Sequence, residues 1–290
     1  MSTGTYGSDR LETLTDVDAL RAQIARWRQA GERIAFVPTM GNLHAGHLEL
    51  VRRARQLARR VVVSVFVNPT QFGPGEDFER YPRTLDEDRA ALRSLEVDLL
   101  FTPGVETMYP EGTERITRIE VPGVTEGLCG AFRPGHFSGV ATVVARLFNL
   151  VQPDVAVFGR KDYQQLVMIR KMTRDLCFPI AIEGVATVRE ADGLAMSSRN
   201  RYLSPEERRV APVLQRTLQD IAEMARAGEC NPAALEEQGM TALANAGFRP
   251  DYVSIRQASD LSPARACEPG WIVLAAAWLG RARLIDNLEI

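Results

Sequence analysis

Short β-branched runs alternate along this chain with stretches whose apolar residues recur at helical spacing. Leu20, Ile24 and Trp27 share one helical face; Asp16 or Asp18 can cap that helix and Gly31 can end it. Ile34–Val37 is a short strand closed by Pro38, and an amphipathic helix is predicted over His47–Ala58. Val61–Val67 is almost continuously β-branched, as in a strand buried on both faces. Leu85–Ser94 reads as a helix, Leu99–Phe101 as a strand, and Arg115–Val121 alternates like a half-exposed strand. Phe137–Leu150 is apolar on most sides and predicts a buried helix. A strand over Val155–Phe158, a helix over Asp162–Leu176 and a strand over Ile180–Val188 follow. Strands and helices alternating in this way predict a parallel sheet with right-handed crossovers, with ligands taken beyond the carboxyl ends of the strands. Polar segments rich in Gly and Pro fall at those ends: Pro38–Gly46, Asn68–Gly75 and Gly159–Gln164.

The texture changes near Arg189. Asp192–Asn200 is a polar loop. Ser204 followed by Pro205 and Glu207 has the form of a capped helix start, and one helix is expected over Leu203–Ala227, a second over Ala233–Ala246. Tyr252–Arg256, Trp271–Ala277 and Ala282–Ile285 read as strands of a smaller α+β domain. The expected division is 1–187 and 188–290, with the first ten residues disordered.

Composition narrows the class. A 45% hydrophobic share predicts an ordinary core, and a net charge of -2 lacks the footprint of a general nucleic-acid binder. The basic run Arg52, Arg53, Arg55, Arg59 and Arg60 is expected to be a solvated helix face. The longest apolar run, Trp271–Leu279, is too short to span a bilayer, which needs about 20 residues. The four cysteines form no C-x-x-C pair and read as reduced, buried filler; with no signal peptide in Met1–Arg10, a cytoplasmic location is expected.

Two of the three histidines, His44 and His47, lie three residues apart where a strand hands over to a helix. A helix amino terminus suits phosphate, and two imidazoles there can stabilise charge developing at phosphorus. The alternative is that both simply cap the helix start. The spacing does not fit a zincin, which needs a glutamate and two histidines four apart.

The run Phe36-Val37-Pro38-Thr39-Met40-Gly41-Asn42-Leu43-His44-Ala45-Gly46-His47 resembles the pantothenate synthetases, members of the nucleotidylyltransferase superfamily. Five further blocks carry the same resemblance in order: Phe66–Phe72 with Tyr81–Thr84, Arg133–Val140, Phe158–Gln165, Asp192–Asn200, and Ala276–Gly280 with Arg283–Asn287. It spans nearly the whole chain. It implies a Rossmann-like α/β domain with helices on both faces, and a C-terminal lid domain. The implied reaction is ATP-dependent condensation of pantoate with β-alanine through a pantoyl adenylate, releasing AMP and pyrophosphate.

Residue by residue, the resemblance implies catalytic roles for His44, His47, Lys161, Ser197, Ser198 and Arg199. It sets ATP against Met40, His47, Gly159, Lys161, Asp162, Val188, Met196 and Ser197–Arg199. Gln71 and Gln164 are implied to hold pantoate and β-alanine, and Glu87 and Asp88 to hold Mg²⁺. Each assignment has a plainer alternative: loop amides bonded to backbone for the glutamines, core packing for Met40 and Phe72, helix capping for Asp162, a surface turn for Ser197–Arg199 and favourable helix-dipole placement for the acids. Arg133 reads as a subunit or pantoate contact and His136 as a structural histidine. The family suggests a homodimer.

The chain departs from the pattern at Arg160, where the family usually has an acid. Two cations then stand side by side, and weaker retention of whatever that acid holds is expected, without loss of catalysis. Two rival readings are a nucleotidyltransferase adding AMP or CMP to a phosphate ester, and an ATP-binding module without turnover.

Overall fold

The computed structural model describes residues 11–266 and 268–290, so the expectations for the first ten residues and for Cys267 lie outside it. Two compact units emerge. The first takes the described residues up to Glu120 together with Ser138–Phe158 and Met172–Val185; the second takes Val121–Phe137, Gly159–Lys171 and Ala186–Ile290.

The elements follow the sequence closely. They are β1 (Glu12–Leu14), α1 (Val17–Gln29), β2 (Ile34–Thr39), α2 (Ala45–Leu57), β3 (Arg60–Val65), α3 (Leu85–Ser94), β4 (Leu99–Phe101), α4 (Val105–Met108), α5 (Leu128–Phe132), α6 (His136–Val151), β5 (Val155–Gly159), α7 (Tyr163–Asp175), β6 (Ala181–Val185), α8 (Pro205–Val210), α9 (Val213–Arg226), α10 (Pro232–Asn245), β7 (Arg249–Gln257), β8 (Trp271–Leu279) and β9 (Ala282–Glu289).

Asp16 settles the first cap: its carboxylate accepts from the N–H groups of Asp18 and Ala19. The six-stranded sheet runs β1-β4-β3-β2-β5-β6, and β2 pairs in parallel with both β3 and β5. Strand order reverses between β2 and β5, and a crevice beyond the carboxyl ends at such a reversal is where open α/β sheets take ligands. Val61, Val62 and Val63 are fully buried, as a two-sided strand requires. In α6, Val140, Ala141, Val143, Val144, Leu147 and Phe148 are all buried, which accounts for its apolar run.

In the second unit β7, β8 and β9 form an antiparallel sheet. Leu214, Leu218 and Ile221 of α9 and Leu235 and Leu243 of α10 belong to the same core as Val253, Ile255, Val273 and Ala275. No helix among the described residues is long and apolar enough to cross a membrane.

Several expectations fail. Arg115–Val121 enters neither sheet; the Ile119 N–H instead donates to the Thr142 hydroxyl at 2.9 Å, so a side chain stands where a ladder partner would. The single helix expected over Leu203–Ala227 is two, α8 and α9, parted at Ala211 and Pro212. Pro212 has no N–H to continue the ladder. The start at Ser204 is as expected: its hydroxyl accepts from the Glu207 N–H, and the Glu207 carboxylate accepts from the Ser204 N–H in return. Cysteines behave less simply than filler. Cys177 is exposed and Cys129 and Cys230 are half-buried, so the expectation of uniformly buried thiols does not hold. The basic run is a paired face: Arg52 meets Glu49, Arg53 meets Glu183, Arg55 meets Asp98, and Arg59 and Arg60 meet Glu32.

Candidate active site

The turn after β2 is built around two close approaches. Gly41 has φ +80°, and a Cβ there would stand 2.9 Å from Val65 Cγ1 and 3.0 Å from Asp88 Oδ2. Only glycine fits both the conformation and the gap. Asp88, 2% exposed, then accepts from the N–H groups of Asn42 at 2.9 Å and Leu43 at 2.7 Å, with the Thr84 hydroxyl at 3.3 Å. The turn delivers His44 to the amino end of α2.

His44 is the N-cap of α2. Its Nδ1 accepts from the Gly46 N–H at 3.2 Å, and His47 Nδ1 accepts from the His44 N–H at 3.3 Å. This is a capping box with imidazoles in place of a hydroxyl and a carboxylate. A ring nitrogen that accepts cannot carry the proton, so the neutral form of each ring carries it on Nε2. The rings lie 4.1 Å apart at 40°. With Nδ1 taking the cap, the donor capacity of each neutral ring lies at Nε2–H.

Gln71 closes a 3-10 turn, Pro69–Gln71, capped by Asn68. A Cβ on Gly139 would lie 2.3 Å from the Thr70 carbonyl oxygen, so the glycine is what lets α6 lie against this turn. Asn68, 1% exposed, donates from Nδ2 to Gln71 Oε1 at 3.0 Å and to the Gly139 carbonyl at 3.2 Å. Its Oδ1 accepts from the Tyr109 hydroxyl at 2.8 Å. Burial pushes the Tyr109 phenol above its ordinary value, so it stays protonated and donates. Gln71 Nε2 points at Met40 Sδ, 3.2 Å away, which brings those two predicted contacts together. Phe72 packs on Phe78 and Tyr81.

The remaining predicted residues belong to the second unit. Gly159 ends β5 and caps the 3-10 turn Arg160–Asp162; no atom stands within 4 Å of the place a Cβ would take. Lys161 is 18% exposed, with its ammonium 3.7 Å from the Asp162 carboxylate. Gln164 is buried in the first turn of α7. Its Nε2 donates to the carbonyls of Val124 and Gly127, and its Oε1 accepts from the Cys129 N–H at 3.0 Å, leaving that oxygen one further lone pair. Val188 and Met196 are joined by a backbone hydrogen bond at 3.0 Å, and the Ser197 hydroxyl caps the turn Ser198–Tyr202 by accepting from the Arg199 N–H at 3.2 Å. Arg160 pairs with Glu289 at 3.4 Å with both side chains about half exposed, and Arg133 Nη1 lies 3.0 Å from His136 Nε2.

Glu87 and Asp88 do not fit joint, direct ligation of a magnesium ion. Adjacent on α3, one is exposed and the other buried, and the buried carboxylate is committed to two backbone N–H groups and a hydroxyl. No group of three metal-ligating side chains occurs among the described residues. Replacing Asp88 by alanine should destabilise the protein by about 2–4 kcal/mol, since two half-buried N–H groups lose a charged acceptor. A urea melt would read this, with Glu87→Ala, exposed, as the neutral control.

Sequence reasoning missed Asn68 and Tyr109. Asn68 stood inside a quoted block, three residues before Gln71, but its partner Tyr109 is 41 residues away, and no local pattern links them. A cleft of ≈ 610 Å³ lies elsewhere, lined by Gly31, Glu32, Arg33, Arg55 and Arg59 before β2 and β3. That is the amino edge of the sheet, and none of the predicted site residues lines it.

A parallel sheet with its order reversal at β2 and β5, and paired imidazoles on the helix after β2, define an α/β enzyme of the phosphate-handling kind. Residues 12–289 match the family model of pantoate-beta-alanine ligase. The pantothenate synthetase of Azotobacter vinelandii is 59% identical over 96% of this chain and 98% of its own, and that of Pseudomonas paraeruginosa is 56% identical over 97% and 99%. The crystal structure of pantothenate synthetase from Thermus thermophilus superposes with a TM-score of 0.90 at 54% identity, covering 96% and 99% of the two chains. The Francisella tularensis pantoate-beta-alanine ligase, complexed with beta-gamma ATP and beta-alanine, gives 0.80 at 31% identity over 96% and 97%. The chain belongs to the pantoate–β-alanine ligase family, whose members form pantothenate from pantoate and β-alanine.

Proposed function

We propose that the chain joins pantoate to β-alanine in two steps driven by ATP. A pantoate carboxylate oxygen attacks the α-phosphorus, the bond to the β-phosphate oxygen breaks, and pyrophosphate leaves. The β-alanine amine then attacks the acyl carbon of pantoyl adenylate, the carbon–oxygen bond to AMP breaks, and the amine gives up a proton as the amide forms. A carboxylate is a poor acyl donor until its oxygen becomes a good leaving group, which is what the first step supplies.

The observation that carries this reading is the imidazole capping box. It holds two Nε2–H donors at a helix amino end, where the dipole already favours phosphate. Lys161 adds a point charge, and Ser197, Ser198 and Arg199 supply hydroxyls and a guanidinium for the β- and γ-phosphates. Met40, Gly159, Asp162, Val188 and Met196 complete the nucleotide contacts. Gln71 and Gln164 take pantoate with opposite polarity, one donating and the other accepting. Magnesium is assigned to the triphosphate itself, and no step passes through Glu87 or Asp88. The Francisella relative's ligands support ATP and β-alanine as substrates.

The test is an assay for AMP and pyrophosphate with pantoate and β-alanine omitted in turn. Pyrophosphate should need pantoate and ATP, and sustained AMP release should need β-alanine as well. Turnover that keeps the nucleotide in its product, or ATP binding without pyrophosphate, would replace this reading.

A further inference from the structure

Asp286 and Asn287 are neighbours on β9, so their side chains leave the strand on opposite faces. Both are buried, at 3% and 8% exposure. Asn287 donates from Nδ2 to two consecutive carbonyls, Arg160 at 2.9 Å and Lys161 at 2.8 Å. Asp286 takes the Arg189 guanidinium in a two-pronged pair, at 2.6 and 3.0 Å, and its Oδ1 also accepts from the Asn287 N–H at 2.8 Å. The same Arg189 donates to the Gly193 carbonyl at 3.1 Å, and an antiparallel bridge joins Arg189 to Ala195. Ala195 is two residues before Ser197. One dipeptide thus grips the turn that carries Lys161 with one hand and the root of the Ser197–Arg199 loop with the other.

We propose that Asp286 and Asn287 are positioning residues for the phosphate-handling groups, setting Lys161 and the Ser-Ser-Arg loop from a single strand. The proposal rests on the reading of Lys161 as a phosphate contact. Its chemistry is specific. A primary amide is the compact side chain with two N–H donors on one nitrogen, which matches two adjacent carbonyls. Pinning both carbonyls fixes the two peptides that flank the Lys161 Cα, and with them the direction in which the lysine leaves the backbone. A bidentate arginine–carboxylate pair fixes angle as well as distance, which a single contact would not. Catalytic alignment is sensitive at this scale: a 1 Å misplacement costs about 10²-fold.

The experiment is a double-mutant cycle on the full chain, Asn287→Leu and Lys161→Ala, read as pyrophosphate release at saturating ATP. Lys161→Ala alone should slow release by about 10². Asn287→Leu alone should slow it by about 10–10² while leaving KM for pantoate within about twofold. In the Lys161→Ala background the same leucine should cost less than about threefold, because sites that act through one another are not additive. Full additivity, or wild-type rates in a folded Asn287→Leu protein, would overturn the proposal. Wild-type rates in Lys161→Ala would instead remove the reading of Lys161 beneath it. Asn287→Asp keeps the volume should leucine prevent folding. Its carboxyl can donate only when protonated, so its rate deficit relative to wild type should shrink as pH falls, and a deficit constant with pH counts against the proposal.

Discussion

Replacing His44 by asparagine is expected to slow pyrophosphate release by about 10²–10³ while leaving the protein as stable as before. The two effects separate because, in the function proposed above, the histidine does two jobs with two atoms. Nδ1 accepts the Gly46 N–H and caps α2. Asparagine is among the best N-caps, and its Oδ1 can take over that bond. Nothing on asparagine can reproduce a second donor where Nε2–H lies. His44→Ala, by contrast, should lose both the rate and about 1 kcal/mol of stability. His47 makes the reciprocal bond to the His44 N–H, a place where glutamine or glutamate completes an ordinary capping box. The double variant His44→Ser, His47→Glu should therefore be at least as stable as the natural chain and inactive. That is the signature of a helix start shaped for chemistry at the expense of capping. A thermal melt beside a pyrophosphate assay reads both quantities, and an active His44→Asn enzyme would reduce this histidine to a cap.

The fold was legible where one periodicity acted alone. Val61–Val65 could be little other than a two-sided strand, and α6 announced its burial by the lack of a polar face. Reading failed where a local pattern lacked a tertiary partner. Arg115–Val121 alternates like a strand, yet no strand edge receives it. Pro212 was visible in the sequence, but the apolar spacing around it, strong enough to suggest one helix, hid the break that a missing N–H imposes. In the site, spacing pointed to the histidines, and the family resemblance to Lys161 and both glutamines. Neither gave a hint of which atom each would present, because that depends on distant partners. Asp88 shows this most clearly. As one acid among three at a helix start it reads as favourable dipole placement, and the resemblance makes it a metal contact; only the folded chain shows its oxygens holding the Asn42 and Leu43 N–H groups.

Gln71→Glu should lower kcat/KM for pantoate by at least about 10³, because on the proposed reading a donor to a substrate oxygen is lost and a charge of the substrate's own sign is gained. The direction follows from an amide orientation that can be derived without seeing hydrogens. Asn68 Oδ1 lies 2.8 Å from the Tyr109 hydroxyl, 3.0 Å from the Thr70 hydroxyl and 3.3 Å from the Thr70 N–H. Turned over, the amide would set its own N–H groups against the Thr70 N–H donor, so Oδ1 must face this way. Nδ2 then donates to the Gly139 carbonyl and to Gln71 Oε1. Gln71 is thereby committed to accepting inward and donating toward Met40 Sδ. A thioether is a weak acceptor, and a carboxylate or hydroxyl oxygen of pantoate would displace it readily. Glutamate is nearly the same size, so packing is kept, but it offers acceptors at both ends: one repels the substrate, while the other still accepts from Asn68. Steady-state rates with pantoate varied at saturating ATP give the test, and KM for ATP should stay within about twofold if the loss lies in acid recognition. Near-normal use of pantoate by the glutamate variant would mean that the Gln71 amide faces something other than the substrate.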